Sequence, residues 1–132
     1  AWVFAFSLRI LLENLIQNAC KYGQPGTTVT VRLRRDDGQA AAGGVVDEAN
    51  LVGWSLEVCN EGAGIDPEWH ERAFERFFRL SEHQNMPGSG LGLAIVREIA
   101  LLHESEVQLR ALHPDAAEPG LVVAMHLPFA ED

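Results

Sequence analysis

The sequence predicts an α+β fold, a two-layer α/β sandwich in which helices cover one face of a mixed, mainly antiparallel sheet. Hydrophobic residues recur at helical or strand spacing in the order helix, two strands, short helix, helix, two strands. This order contains no internal repeat and lacks the regular strand–helix–strand alternation of a parallel sheet. The length of 132 residues suits one domain, so we expect residues 1–132 to form a single domain.

The first half of the chain contains one helix and two strands. Apolar residues at helical spacing predict a helix over residues 8–22, which Gly23 ends. Alternating apolar and polar residues predict strands over residues 29–34 and 54–59. Glycines, alanines and acids between these strands predict a long, mobile hairpin connection over about residues 36–50.

The second half of the chain contains two helices and two strands. Asp66 is a candidate helix cap and Pro67 suits the first helical position, so a short helix is expected from there toward residue 78. Polar residues 81–89 interrupt the pattern. The elements expected after them are a helix over residues 91–103 and strands over residues 107–111 and 121–127.

Composition and charge exclude several classes of protein. The apolar fraction of 47% is typical of a folded globular chain. Ten basic residues against nineteen acidic ones, a net charge of −9, argue against a nucleic-acid partner. Cys20 and Cys59 lie in apolar stretches, so we expect buried free thiols in a reducing compartment. The compartment expected from these thiols is the cytoplasm. No apolar run is long enough to span a bilayer, so we expect a soluble chain. Because the chain begins without Met, we expect it to be a piece of a longer protein.

Polar residues form a stripe along the first helix. Asn14, Asn18, Lys21 and Tyr22 are spaced i, i+4, i+7 and i+8, which places them together beside the apolar face. Asparagine is a poor helix former, so helix propensity does not explain why two asparagines occur in this helix. One interpretation is that both amides bond to neighbouring backbone at the core edge. The other is a ligand, since asparagine oxygens suit Mg²⁺ and a lysine can neutralise a phosphate.

Two glycine motifs follow, over residues 60–65 and 88–96. Glycine allows positive φ and close approach of the backbone to a ligand, and the second motif opens a helix whose first N–H groups attract phosphate. Either motif alone is also compatible with an ordinary structural turn. The second motif lacks the GxGxxG spacing of dinucleotide-binding folds, and no P-loop motif is present.

Four motifs in order resemble the ATP-binding catalytic domain of sensor histidine kinases. Residues 14–22, Asn-Leu-Ile-Gln-Asn-Ala-Cys-Lys-Tyr, are similar to the N box, and residues 60–65 to the G1 box. Residues 74–79, Phe-Glu-Arg-Phe-Phe-Arg, resemble the F box, and residues 88–96 the G2 box. The F box separates sensor kinases from the related gyrase and MutL ATPases. The resemblance implies the Bergerat fold of this superfamily.

The resemblance also implies which residues hold ATP and Mg²⁺ between the first helix and a lid over about residues 80–90. Asn18 would bind Mg²⁺, whereas Asn14 and Lys21 would contact phosphates and Tyr22 would lie against the adenine. Arg79 would reach the terminal phosphate, and a surface ion pair is its alternative. The catalytic residues implied are thus Asn14, Lys21 and Arg79. The glycine motifs would contribute further nucleotide contacts from Asn60, Gly62, Gly64, Ile65, Gly88, Gly90, Leu91, Gly92 and Leu93.

The implied reaction is transfer of the γ-phosphate of ATP to a histidine on a separate dimerisation and phosphoacceptor domain of the parent kinase. None of the five histidines lies in an acceptor motif, and the pairs starting at His70 and His103 are expected at the surface. Asn14 stands where gyrase-type relatives carry a glutamate that activates water, so efficient ATP hydrolysis is not expected. The parent would be a homodimeric inner-membrane sensor that signals to a response regulator, and this piece alone a monomer.

Two departures from the family pattern leave an alternative function open. The G1 box usually begins with aspartate, and Asn60 replaces its charge-assisted bond to adenine by a neutral one that is weaker by ~1 kcal/mol. The lid segment over residues 81–87 has no lysine or arginine. The alternatives are therefore a degenerate nucleotide-sensing module without kinase activity, or an interaction domain that binds no nucleotide.

Overall fold

The computed structural model describes residues 2–37, 48–75 and 92–128. Two helices and four strands occur in these residues, in the predicted order. They are α1 (Trp2–Tyr22), β1 (Thr30–Asp36), β2 (Gly53–Asn60), α2 (Gly92–Leu102), β3 (Val107–Arg110) and β4 (Leu121–Pro128). Short 3-10 helices lie at Glu48–Asn50, Pro67–Trp69 and Arg72–Phe74.

The strands form one sheet in the order β1-β2-β4-β3. Each pairing between the described strands is antiparallel, and β2 lies between β1 and β4, with Val58 opposite Val31 on one side and Val123 on the other. The predicted mainly antiparallel sheet is therefore confirmed. Because β2 is flanked on both sides, seven of its eight residues are buried. The pairing with β1 and β4 therefore fixes the position of Asn60, the last residue of β2, at the start of the following turn.

The core lies between the two helices and one face of this sheet. Alternate residues of the central strands point toward the helices, because successive side chains of a strand face opposite sides. The buried cluster on this side is Leu11, Leu15, Ala19, Leu56, Val58, Val96, Ile99, Ala100, Val123 and Met125. A smaller cluster of Cys59, Val122 and Ala124 lies on the opposite face. The helices thus share one face of the sheet, and the predicted α+β class is confirmed.

Two helices differ from their predicted bounds. The first begins at Trp2 instead of residue 8, because the opening residues are nearly all apolar and show no periodicity. The helix expected after Asp66 is two separate 3-10 turns in the part that the structure describes. The cap itself is confirmed, since the Asp66 side chain accepts a hydrogen bond from the Glu68 amide at 3.3 Å and Pro67 follows.

Both cysteines are free, as predicted, but only Cys59 is buried. The prediction of burial was wrong for Cys20, which follows the buried Ala19 on α1 and is turned about 100° from it toward solvent. The residue type and an apolar neighbourhood therefore do not decide which side of a helix a cysteine faces.

Burial raises the pKa of the Cys59 thiol, because the thiolate would lose its hydration.

The β1–β2 connection begins after Asp36, which pairs with Gly53 at the end of the ladder. Asp36 is fully buried, and its carboxylate lies 2.8 Å from the Nδ1 atom of His126 on β4. Residues 38–47 of the predicted connection lie outside the described residues. No helix in the described ranges is long and apolar enough to cross a membrane.

A charged cluster covers the sheet face opposite the helices. Glu57 of β2 is 1% exposed, and its carboxylate pairs closely with the Arg110 guanidinium. Arg32 and Arg34 of β1 approach the other carboxylate oxygen, each at 3.9 Å, with more than half of each side chain exposed. The buried charge of Glu57 is therefore held mainly by Arg110, since the other two contacts are longer.

Candidate functional site

The polar stripe lies along α1 where the apolar face meets solvent. Asn14, Asn18 and Lys21 are each partly buried, whereas the solvent face carries exposed residues such as Gln17. Lys21 lies in the last turn of the helix, where the aligned carbonyl groups favour a cation. The structure thus brings three predicted site residues together on one side of α1, as their spacing indicates.

The two asparagines of the stripe differ in their contacts. The Asn14 side-chain amide donates a hydrogen bond to the Ile10 carbonyl at 2.9 Å, so the backbone interpretation holds for this residue in the absence of nucleotide. Its side-chain oxygen takes no part in that bond. Asn18 has no hydrogen-bond partner for its side chain among the described residues, so backbone bonding does not account for its place on the helix.

The end of α1 lies directly against the end of β2. Gly23 follows the helix and donates its amide to the Ala19 carbonyl at 2.9 Å. A Cβ atom at position 23 would lie 2.5 Å from that carbonyl oxygen and 3.3 Å from the Cβ atom of Asn60. A larger residue does not fit there without displacement, so the glycine allows the end of α1 to pack closely against the end of β2.

Asn60 ends β2 and begins the first glycine turn. It is 7% exposed, and its side-chain nitrogen donates a hydrogen bond to the Glu61 carbonyl at 3.1 Å. In this orientation the side-chain oxygen remains available as an acceptor. The turn therefore offers one neutral acceptor beside the end of α1.

Backbone bonds hold the glycine turn from two sides. The Gln24 amide donates to the Glu61 carbonyl at 2.9 Å, which ties the turn to the segment after α1. The Gly120 amide donates to the Gly62 carbonyl at 2.8 Å, which ties it to the segment before β4. A Cβ atom at Gly64 would collide with the Gly120 carbonyl oxygen, so Gly64 serves close packing as well as turn geometry.

Two histidines that were expected at the surface are partly buried. A ring nitrogen of His70 lies 2.9 Å from the carbonyl oxygen of Ile65, the last residue of the G1-like motif, and Ile65 itself is partly buried. His70 thus supports the glycine turn from its far end.

Burial lowers the pKa of His103, which follows α2, because the charged imidazolium would lose hydration.

The remaining predicted site residues are described in part. Arg79, Gly88, Gly90 and Leu91, together with the lid over residues 80–90, lie outside the described residues, as does the side chain of Tyr22. Gly92 begins α2, and Leu93 packs partly buried against the core. Phe74 opens the F-box-like segment, and the Arg97 guanidinium of α2 lies 5.5 Å from its ring centroid. The nucleotide contacts expected of these residues stay predictions.

Two residues that position the site were missed by the sequence prediction. Gly23 was taken only as the end of a helix, and Gly120 was not singled out. The available signals were weak, because a glycine after a helix and a Pro-Gly pair before a strand are ordinary features of turns. Their role comes from contacts between segments that are distant in sequence.

The chain matches the sequence model of a known protein family. The model of the family described as "Histidine kinase-, DNA gyrase B-, and HSP90-like ATPase" matches residues 5–131, so the chain belongs to this family. The relatives described below are named histidine kinases. The resemblance to the catalytic domain of sensor histidine kinases, predicted from four motifs, is thereby confirmed.

Curated relatives include the signal transduction histidine-protein kinase/phosphatase MprB of two mycobacteria. The protein of Mycobacterium ulcerans is 37% identical over 115 residues, 87% of this chain and 20% of the relative. That of Mycolicibacterium smegmatis is 38% identical over 115 residues, 87% of this chain and 21% of the relative. The chain therefore spans about a fifth of the length of these relatives.

Solved structures of histidine kinases have the same fold. A mycobacterial sensor histidine kinase MprB superposes with a TM-score of 0.74 at 34% identity, covering 92% of this chain and 70% of that one. Full-length ShkA, crystallised in complex with AMPPNP, gives 0.70 at 25% identity, covering 96% and 22%. The catalytic domain of ThkA gives 0.65 at 21% identity, covering 96% and 69%, which supports the fold alone.

Proposed function

We propose that this domain binds Mg-ATP and transfers the γ-phosphate to a histidine on a separate phosphoacceptor domain of its parent sensor kinase. The observation that carries the proposal is the close packing of Gly23, which directly follows α1 and its polar stripe, against Asn60 at the start of the glycine turn. On the α1 side of that junction, asparagine amides and a lysine could contact phosphates and a metal ion. On the other side, the side-chain oxygen of Asn60 could accept a hydrogen bond from a nucleotide base. The crystallised complex of ShkA with AMPPNP, a structural neighbour, supports the same ligand class.

Asn60 would recognise the base. Its side-chain nitrogen is engaged by the Glu61 carbonyl, so the side-chain oxygen is the atom left to accept a hydrogen bond from the 6-amino group of adenine. Because an amide is neutral, this bond is weaker than the aspartate bond usual in the family, by ~1 kcal/mol. We therefore expect adenine selectivity to be retained at a lower affinity.

Asn18 and Lys21 would offset the charge of the phosphates. The carbonyl end of α1 carries a partial negative charge that by itself repels a triphosphate. Lys21 lies in that last turn, and Asn18, one helical turn before Tyr22, presents a hard oxygen of the kind that Mg²⁺ accepts beside water and phosphate oxygens. The residues present thus fit a magnesium ion, which would screen the phosphates when bound.

Positioning and charge neutralisation would account for the chemistry. In the proposed step a bond forms between the acceptor imidazole nitrogen and the γ-phosphorus, the bond to the bridging oxygen breaks, and ADP leaves. Asn14 would contact a phosphate, and as an amide it cannot serve as the base that activates water. Arg79 and the backbone amides of residues 88–92 would complete the phosphate contacts, with Tyr22 against the adenine.

Labelled ATP tests this proposal. We expect the isolated domain to remain unlabelled, and a matching acceptor domain to become labelled when the two are mixed. An acceptor whose histidine is replaced by glutamine is the control and should stay unlabelled. Label on the isolated domain would contradict transfer to a separate acceptor domain, and no label in the mixture would contradict kinase activity. Binding of ATP without any transfer would instead favour the nucleotide-sensing module, for which the uncharged amide of Asn60 is the supporting observation.

The proposed setting follows from the same family. The domain would act within a homodimeric parent, on the cytoplasmic side of the inner membrane, with a response regulator as the eventual receiver of the phosphate. Because the chain spans about a fifth of its curated relatives, further domains would supply dimerisation, and this piece alone would be a monomer.

A further inference from the structure

We propose that Gly120, which lies outside the four motifs, is a positioning residue that determines the preference of the site for adenine. It would act by holding the turn over residues 60–64 in register, so that the side-chain oxygen of Asn60 meets the base. This inference rests on the proposed nucleotide site and names the element of this chain that sets its base specificity.

Gly120 makes three close backbone approaches to the glycine turn. Its amide donates to the Gly62 carbonyl at 2.8 Å, and its own carbonyl oxygen leaves no room for a Cβ atom at Gly64. Its φ of +68° belongs to the left-handed region that favours glycine. A Cβ atom at position 120 would lie 2.6 Å from the backbone oxygen of Asn60. Both the conformation and the space thus require glycine here.

The loop that carries Gly120 is itself anchored. The His113 amide donates to the Pro119 carbonyl at 2.7 Å, which closes the loop just before Gly120. The His113 ring nitrogen lies 2.9 Å from the Glu61 carboxylate, so a side-chain contact joins the same loop to the same turn. The segment between β3 and β4 therefore holds the turn at Glu61 and at Gly62, from outside the motifs.

The consequence of a larger residue at position 120 is specific to the base. Ordinary van der Waals contact begins near 3.4 Å, so a Cβ atom at 2.6 Å would displace the Asn60 backbone by several tenths of an ångström. Hydrogen bonds weaken steeply with such displacement. The phosphate and metal contacts proposed for α1 lie on another element and would remain. The variant should therefore lose selectivity between bases while it retains binding to the triphosphate.

The test compares ATP with inosine triphosphate, in which an oxygen replaces the 6-amino group. Calorimetry with Mg²⁺ should give wild-type affinity for ATP at least about fivefold above that for inosine triphosphate, the value of one neutral hydrogen bond. In Gly120→Ala this ratio should fall to about one, with affinity for inosine triphosphate unchanged. A ratio as in wild type would overturn the inference.

Gly26→Ala is the matched control. Gly26 also has a left-handed φ, of +81°, but a Cβ atom there would meet nothing within 4 Å. This variant therefore carries the same backbone strain without the collision. It should keep the wild-type ratio of affinities, even if its melting temperature falls as much as that of Gly120→Ala. Equal loss of selectivity in both variants would show a general effect of destabilisation and overturn the inference.

A second measurement applies if Gly120→Ala does not fold. In the wild-type chain, hydrogen exchange of the Gly120 amide should slow more with Mg-ATP than with magnesium and inorganic tripolyphosphate. The reason is that only ATP has a base, which would bind the glycine turn and stabilise the bond from the Gly120 amide to the Gly62 carbonyl. Equal protection by both ligands would overturn the inference. If the wild-type chain binds no ATP, the proposed function fails first, whereas binding with unaltered selectivity in the variant removes this inference alone.

Discussion

Replacement of Asn18 by alanine is expected to weaken Mg-ATP binding by at least about tenfold, because the variant removes the one protein oxygen proposed to hold the metal. Asn18 is partly buried on α1 beside the apolar face of the helix. Alanine is a better helix former than asparagine, so α1 itself should not be weakened. Calorimetric titration of ATP, once with Mg²⁺ and once with a chelator, measures the effect directly.

The comparison with and without metal separates a ligand from a structural residue. Without Mg²⁺, the wild type and Asn18→Ala should bind ATP with similar, weak affinity. Gln17→Ala is the control, since Gln17 is exposed on the solvent face of the same helical turn and should leave both titrations unchanged. A variant at Asn18 that still gains the wild-type affinity on addition of Mg²⁺ would show that the metal is held elsewhere.

Replacement of Arg110 by methionine is expected to lower the free energy of unfolding by about 3 kcal/mol, because it leaves a buried carboxylate without its close partner. Glu57 is 1% exposed, and the contacts that remain, to Arg32 and Arg34, are each 3.9 Å long. Methionine retains an unbranched apolar side chain over the sheet, so the loss should be mainly electrostatic. Denaturant unfolding followed by fluorescence measures it.

A second substitution and a control make this prediction specific. Glu57→Gln removes the buried charge, so the pair Arg110→Met with Glu57→Gln should be more stable than Arg110→Met alone. Arg9→Met is the control, because Arg9 pairs with Glu13 at 3.0 Å on the exposed face of α1, where an ion pair is worth less than about 1 kcal/mol. Equal losses from Arg9→Met and Arg110→Met would contradict the assigned role of the buried charge.

The order of elements and the stripe on α1 could be predicted from the sequence because both depend on local periodicity. The spacing of Asn14, Asn18 and Lys21 fixes a common helix side whatever the rest of the chain does. Alternation likewise predicted β2 and therefore the place of Asn60 at a strand end. The four motifs added a family, which the family match over residues 5–131 confirmed.

The clamps around the glycine turn could not be predicted, because they join segments that are distant in sequence. Gln24 and Gly120 are 96 residues apart in numbering, yet their amides bond to adjacent residues of the turn, Glu61 and Gly62. Composition also failed for Cys20, whose apolar neighbours do not reveal that it faces solvent. Periodicity could not distinguish an α-helix from the two 3-10 turns after Asp66, since both patterns are short.

A crystal structure of this domain with Mg²⁺ and a nonhydrolysable ATP analogue tests the central claim most directly. We predict the adenine beside the Asn60 side-chain oxygen, the metal on the Asn18 oxygen and the phosphates along the last turns of α1. A nucleotide bound away from the junction of Gly23 and Asn60, or a junction that stays empty at saturating ligand, would contradict this account of the site.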